Sequence, residues 1–65
     1  MVKVFVRLNG KTESTEITED THEVLRDGAY LRNRPLDYYL QEVLKEYGEL
    51  SEENILKYID EKWVL

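Results

Sequence analysis

The local signal that most constrains the fold of this chain is LSEENI, residues 50–55. Ser51 is a suitable N-cap, because its hydroxyl can accept a hydrogen bond from a backbone N–H that has no partner within the first helical turn. Glu52 and Glu53 then place negative charge at the positive end of the helix dipole. The stretch therefore predicts a helix that begins directly after Ser51.

A second helix is predicted just upstream. Pro35 suits its first helical position, and Gly48 can end it in the left-handed conformation. Because only two residues separate Gly48 from the N-cap at Ser51, the two helices should form an antiparallel hairpin or a steeply angled pair. Apolar residues recur near the helical period on one face of each helix: Leu36, Leu40, Val43 and Tyr47 in the first, and Ile55, Leu56, Ile59 and Trp63 in the second.

The chain begins with a predicted β-strand. Residues 2–8, VKVFVRL, alternate strictly, so that the aliphatic side chains share one face. Lys3, Phe5 and Arg7 share the other face. The pair Asn9-Gly10 follows, and it favours a two-residue type I′ turn because both positions of that turn need positive φ.

The return strand of this hairpin runs from Lys11 to about Thr18 and is rich in Thr and Glu. Such polar residues suit a sheet edge, where charge discourages pairing with another chain. The simplest register places Lys3 opposite Glu16, which brings unlike charges together across the strands.

Residues 19–33 allow two interpretations. Asp27-Gly28 between short apolar runs indicates a second hairpin, which we favour because residues 29–31 then have a strand to pair with. Alternatively, Asp20 and Glu23 form a capping box, and a short helix follows and ends at Gly28.

Together these elements predict a single small α+β domain over residues 1–65. One or two N-terminal antiparallel β-hairpins pack against a C-terminal two-helix hairpin. The valine face of the first strand and the apolar faces of the helices should bury each other, and the carboxylates should stay outside. A chain of 65 residues buries only about 60% of its unfolded surface, so we expect marginal stability unless it self-associates.

Composition narrows the range of functions. The net charge of −5 disfavours binding to nucleic-acid phosphates and favours a neutral or basic partner. The absence of cysteine excludes disulfides and thiolate chemistry, in keeping with a cytoplasmic location. No apolar run approaches the roughly 20 residues that span a bilayer, and the N-terminus shows no secretory signal, so no membrane association is expected.

No motif for catalysis or cofactor binding is recognisable, so we predict no enzymatic activity and no cofactor. The single histidine, His22, lies among Glu19, Asp20 and Glu23, but a zinc site needs three or four strong ligands. We therefore predict no metal site and interpret His22 as part of a solvated turn.

The candidates for contact with a partner are Phe5, Tyr38, Tyr58, Glu52 and Glu53. Phe5 either anchors in a partner or belongs to a core covered by a helix or a second protomer, and we favour the covered arrangement. Tyr38 should lie nearer solvent than its neighbour Tyr39, and Tyr58 should lie at the flank of its helix, where tyrosine suits a binding surface. Glu52 and Glu53 belong to an acidic helix surface.

These observations favour a small acidic, non-enzymatic protein–protein interaction module, which binds another protein or forms a homodimer. The alternative is an acidic inhibitor that imitates DNA and blocks a nucleic-acid-binding protein, as phages or mobile elements encode. In that case, charge reversal at Glu52 and Glu53 should abolish inhibition. A third hypothesis, binding of single-stranded nucleic acid through Lys3, Phe5 and Arg7, is disfavoured by the acidic charge of the chain.

Overall fold

The structure, a computed structural model, describes residues 1–63. A β-hairpin is followed by three helices, and this arrangement confirms the predicted α+β class. The elements are β1 (Val2–Leu8), β2 (Lys11–Ile17), α1 (Glu19–Leu31), α2 (Leu36–Tyr47) and α3 (Glu52–Tyr58), which a π-helical segment (Ile59–Trp63) continues. The first strand packs against α2, and the second packs against α3. Within residues 1–63, no helix has the length and apolar character needed to cross a bilayer.

The hairpin has the predicted turn and register. Asn9 and Gly10 have φ values of 53° and 79°, both positive as a type I′ turn requires. The strands pair in the predicted register, so side chains alternate between the two faces of the sheet. Val4 and Val6 are buried against the helices, whereas the opposite face of β1 is exposed.

Residues 19–31 form a single helix, so the favoured second hairpin is wrong. The alternative, a short helix ended by Gly28, is correct in type but wrong in extent, since α1 continues past that glycine. The predicted capping box at Asp20 is also wrong. The N-cap is Thr18, whose Oγ1 accepts a hydrogen bond from the Thr21 N–H at 3.2 Å.

The end of α1 is set by Asn33, which has a φ of 60°. The Asn33 N–H donates to the Tyr30 carbonyl at 3.0 Å, and the Arg34 N–H donates to a carbonyl one residue further back, that of Ala29, at 3.1 Å. These are the two bonds of a Schellman motif. Asparagine can occupy its left-handed position because a short polar side chain tolerates that backbone.

A tertiary contact explains why Gly28 lies inside α1. The indole ring of Trp63 lies directly against Gly28, where any Cβ would overlap it. The Arg32 guanidinium lies 4.3 Å from the centre of the same ring and donates to the Gly28 carbonyl at 3.1 Å. The glycine, a poor helix former, thus makes room for the ring that covers α1.

The joint between α2 and α3 has the predicted form. Gly48 ends α2 with a φ of 78°, and its N–H donates to the Leu44 carbonyl at 2.8 Å. Ser51 caps α3 by accepting a hydrogen bond from the Asn54 N–H at 3.1 Å. Leu50, between the two helices, is buried in the core.

One apolar cluster joins the hairpin to the helices, and its most deeply buried side chains are Val6, Ile17, Leu25, Val43 and Ile55. The predicted valine and helix faces bury each other, but two assignments on α3 are wrong. Leu56 is 47% exposed, whereas Tyr58, predicted at the flank, is only 7% exposed. The buried face of α3 therefore passes through Ile55 and Tyr58, which are three residues apart and share one side of the helix.

We predict that Gly28→Ala destabilises the protein, although glycine to alanine in a helix interior ordinarily stabilises by about 1 kcal/mol. The added Cβ would overlap the Trp63 ring, and overpacking of this kind costs about 1–3 kcal/mol. The free energy of unfolding, measured by urea denaturation with far-UV circular dichroism, should fall by up to about 2 kcal/mol, which is the overpacking cost less the helix-propensity gain.

The control for this prediction is the same substitution in a Trp63→Ala background. Without the ring, Gly28→Ala should raise the free energy of unfolding by about 1 kcal/mol, as in an ordinary helix. Stabilisation in both backgrounds would show that the indole does not restrict this position.

Candidate functional site

The outer face of β1 presents an aromatic ring between two cations. Phe5 is 66% exposed, so the predicted cover by a helix of this chain is wrong, whereas cover by a second protomer stays a prediction. Lys3 and Arg7 share this face, and neither forms an ion pair within 4.0 Å among residues 1–63. Glu16 of β2 lies opposite Lys3 on this face, whereas Arg7 lies opposite Thr12. The face therefore offers apolar area beside two cations, of which one has a carboxylate as its cross-strand neighbour.

A cleft of about 320 Å³ adjoins this face. Three consecutive residues of β1 line it: Lys3, Val4 and Phe5. Because successive residues of a strand point to opposite faces, a cleft that touches all three lies along the edge of the strand. The rest of its lining comes from the helices, with His22 of α1 and Leu36, Asp37 and Leu40 of α2.

Backbone groups along this edge of β1 point toward solvent. In a hairpin with a two-residue turn, the two residues that flank the turn form a hydrogen-bonded pair, and such pairs recur at every second residue along the strands. The backbone groups of the even-numbered residues between 2 and 8 therefore form hydrogen bonds to β2. The N–H and C=O groups of Lys3, Phe5 and Arg7 therefore point away from β2. Gln41 of α2 donates to the Arg7 carbonyl at 2.9 Å, in agreement with this direction. At Lys3 and Phe5, no group within residues 1–63 takes up the outward bonds.

Of the two predicted acidic contacts, Glu52 is engaged within the fold. Its Oε2 accepts hydrogen bonds from the Thr18 N–H and from the Thr18 hydroxyl, both at 3.0 Å. The Thr18 N–H is the main reason that the pKa of Glu52 lies below its usual 4.5, because this bond favours the carboxylate. Glu53 is exposed, and nothing in the described chain bonds its carboxylate. Glu52 therefore ties the start of α3 to the start of α1.

The two predicted tyrosines belong to an aromatic cluster with Tyr39 and Trp63. Tyr38 is half-buried and Tyr39 is buried, as predicted, and their rings meet edge to face with centres 5.0 Å apart. The ring of Tyr58 lies 6.3 Å from those of Tyr39 and Trp63. Burial raises the pKa of the Tyr58 hydroxyl. A side chain so placed has little surface to offer a partner.

The five predicted contact residues consequently lie in three places. Phe5 is on the hairpin, Glu52 and Glu53 are at the start of α3, and Tyr38 and Tyr58 are in the aromatic cluster. Phe5 alone adjoins the cleft. The candidate site is therefore β1 with its outer face, its open edge and the cleft beside it.

Sequence reasoning missed the helical side of this cleft. The period of α2 assigns Leu36 and Leu40 to a buried face, but it does not indicate which strand edge that face will meet. His22, predicted in a solvated turn, is half-buried on α1 and lines the cleft with Asp37. In the part of the chain that the structure describes, no three metal-binding side chains converge to hold an ion.

Comparison with known proteins adds no functional information. No protein-family model matches the chain, and no curated protein or solved structure is significantly similar to it.

We predict that Glu52→Gln lowers the melting temperature at pH 7 by a few degrees, because the amide is a weaker acceptor for the Thr18 donors than the carboxylate is. Glu53→Gln is the matched control, since it removes the same charge from the same helical turn without breaking such a bond. Its melting temperature should stay close to that of the unsubstituted chain. Thermal unfolding followed by circular dichroism measures both.

The pH dependence gives this prediction a second test. The folded-state pKa of Glu52 is lowered, so its stabilising effect is complete above the usual pKa of 4.5 and is lost as the pH falls through the lowered value. The difference in melting temperature between the unsubstituted chain and Glu52→Gln should therefore shrink below about pH 4.5. A difference that stays constant down to pH about 2 would contradict a charged acceptor.

Proposed function

We propose that this protein is a non-enzymatic protein-interaction module of the cytoplasm that contacts its partner through β1. The observation that carries the proposal is the 66% exposure of Phe5 between Lys3 and Arg7. Aromatic rings surrounded by polar or charged groups are typical anchors of protein interfaces. Transfer of an exposed phenylalanine into a partner's pocket contributes about 1.5–3 kcal/mol.

Isolated apolar side chains occur on many protein surfaces, so exposure of Phe5 by itself is weak support. Phe5 differs from the other exposed apolar side chains because it coincides with an open strand edge and a cleft. These three features together offer a partner apolar area, hydrogen-bonding groups and a recess. We therefore assign the contact to β1 and not to Leu56 or to the exposed residues of α1.

The charges near β1 decide which kind of partner suits it. Residues 1–17 carry three cations and two carboxylates, whereas residues 36–63 carry eight carboxylates and three cations. Charges separated by more than about 8 Å are largely screened at physiological ionic strength, so the charges nearest the contact matter most. The net charge of the chain favours a neutral or basic partner. On the outer face of β1, however, Lys3 and Arg7 outnumber the one carboxylate beside them, Glu16, and Asp37 lies in the cleft on the helix side, so the outer face favours a neutral or acidic partner.

The cleft does not support an enzymatic role. His22 and Asp37 both line it, but neither a hydrogen bond nor an ion pair joins them in the described chain. A carboxylate that orients a catalytic histidine accepts a hydrogen bond from its ring, and this pair has no such bond in the described chain. The cleft walls around these two residues are apolar, which suits binding more than proton transfer.

The alternative, an acidic inhibitor that imitates DNA, has less support from the structure. Glu52 is engaged with Thr18, and two carboxylates of α2 lie near lysines, with Glu42 at 3.8 Å from Lys45 and Glu46 at 3.7 Å from Lys62. The acidic surface is therefore partly compensated by the chain itself. We propose the β1 contact in preference to this role.

We predict that Phe5→Ala abolishes recovery of the partner from a lysate of the native host. Tagged full-length chains should be compared by affinity purification with quantitative mass spectrometry, and the specific partner should fall by about tenfold or more. Leu56→Ala is the matched control, because it also truncates an exposed apolar side chain but lies on α3. It should leave recovery unchanged.

Circular dichroism should first show that both variants fold. Equal recovery with Phe5→Ala would contradict the proposal, as would failure to recover any protein from a chain that sediments as a monomer. A dimer that Phe5→Ala dissociates and Leu56→Ala leaves intact would identify a second copy as the partner at β1.

A further inference from the structure

We infer that the partner contributes an extended peptide segment, which adds as a strand to the open edge of β1 and places an apolar side chain in the cleft between acidic neighbours. This inference rests on the proposed function and specifies the chemistry of the partner. It concerns the edge groups of Lys3 and Phe5, to which no group of residues 1–63 bonds.

The edge provides the hydrogen bonds for such a strand. The N–H and C=O groups of Lys3 and Phe5 point outward, and Gln41 of α2 already occupies the Arg7 carbonyl at the far end. A short extended segment can therefore bond to the first half of β1, up to the place where α2 covers the edge. Addition of a strand to an exposed sheet edge is a common mode of peptide recognition, in which main-chain bonds supply affinity.

The cleft selects which side chain the added strand can present on the helix side of the sheet. Alternate residues of an added strand point to opposite faces of the sheet. A residue on the helix side would enter the cleft, where Val4, Leu36 and Leu40 form an apolar lining. A cleft of about 320 Å³ lies at the lower end of the range for ligand sites, a size that suits a single large apolar side chain.

The outer face provides the charge preference. Residues of the added strand on that side would lie beside Lys3 and Phe5, and Arg7 comes next along the same face. Glu16 of β2 flanks Lys3 on one side, and the added strand would flank it on the other. Directly opposed unlike charges stabilise a pair of strands, and like charges destabilise it. The preferred segment therefore alternates acidic and apolar residues.

A second copy of the chain suits this edge less well than a single peptide strand. If β1 paired antiparallel with its copy about Phe5, Lys3 would face Arg7 of the copy, which sets like charges opposite each other. A copy would also bring its own helices to the side of the sheet where α1 and α2 already line the cleft. A peptide brings neither the opposing cations nor the helices.

The experiment is selection of a random nine-residue peptide display library on the immobilised full-length chain. We expect enrichment of peptides in which acidic and apolar residues alternate. A synthetic peptide of the enriched consensus, labelled with fluorescein, should lose affinity by about tenfold or more for the Lys3→Glu/Arg7→Glu double variant. The matched control is Lys45→Glu/Lys57→Glu, which makes the same charge change on exposed helical positions and should leave affinity within about twofold.

N-methylation of the peptide backbone separates strand addition from simple side-chain contact. Methylation of the amides whose N–H groups point toward β1, which are every second amide of the peptide, should weaken binding by about tenfold or more. Methylation of the remaining amides should have little effect. Equal loss of affinity from methylation of the two sets of amides would overturn the inference. Failure to enrich peptides in which acidic and apolar residues alternate would also overturn it.

The same assay tests the other occupants of this face. Displacement of the peptide by a twelve-residue oligothymidylate at low salt would assign the edge to nucleic acid and overturn the inference. Loss of peptide binding when the chain forms a dimer at higher concentration would assign the edge to a second copy and also overturn it. If the native partner depends on Phe5 but no alternating peptide is enriched, the protein-interaction function stands and strand addition fails. The two proposals therefore fail separately.

Discussion

Burial of one face of a two-stranded sheet is the constraint on which this structure depends. A single hairpin is marginally stable in water, so Val4, Val6 and Ile17 have to be covered by the helices. That requirement places α2 and α3 against the sheet, and within the described residues no element covers the opposite face. A sheet of only two strands also has an edge on each strand. The exposed ring, the open edge and the cleft all follow from the small size of this sheet.

The helices are held together by contacts that join distant parts of the chain. Trp63 lies against Gly28, and Glu52 accepts both hydrogen bonds from Thr18. The Tyr47 hydroxyl donates to Glu61 at 2.6 Å, and this acceptor raises the pKa of the tyrosine to about 12. Each contact bridges two helical elements and none involves the outer face of β1. The stability of the fold and the proposed contact surface therefore depend on different residues.

Charge is distributed unevenly over the fold, and this matters for function. Half of the 14 carboxylates lie on α2, α3 and the segment that follows them, where some are close to lysines or hydroxyl groups. The cations of the hairpin have no such partners within 4.0 Å among residues 1–63. A chain that is acidic as a whole can therefore present a basic strand, and averaging over the sequence conceals this. The total charge is a good guide to solubility but a poor one to the character of a single contact.

The sequence by itself determined the features that depend on neighbouring residues. The alternation of β1, the turn at Asn9-Gly10, the end of α2 at Gly48 and the cap at Ser51 are each decided within a few residues, and all four are present in the structure. The tertiary structure alone decided the rest. Gly28 lies within a helix because the indole of Trp63 needs that space, and Tyr58 is buried because its ring packs against Tyr39 and Trp63. The exposure of Phe5 and the cleft beside it depend on which strand edge α2 meets, and no local spacing of residues encodes the position of another element.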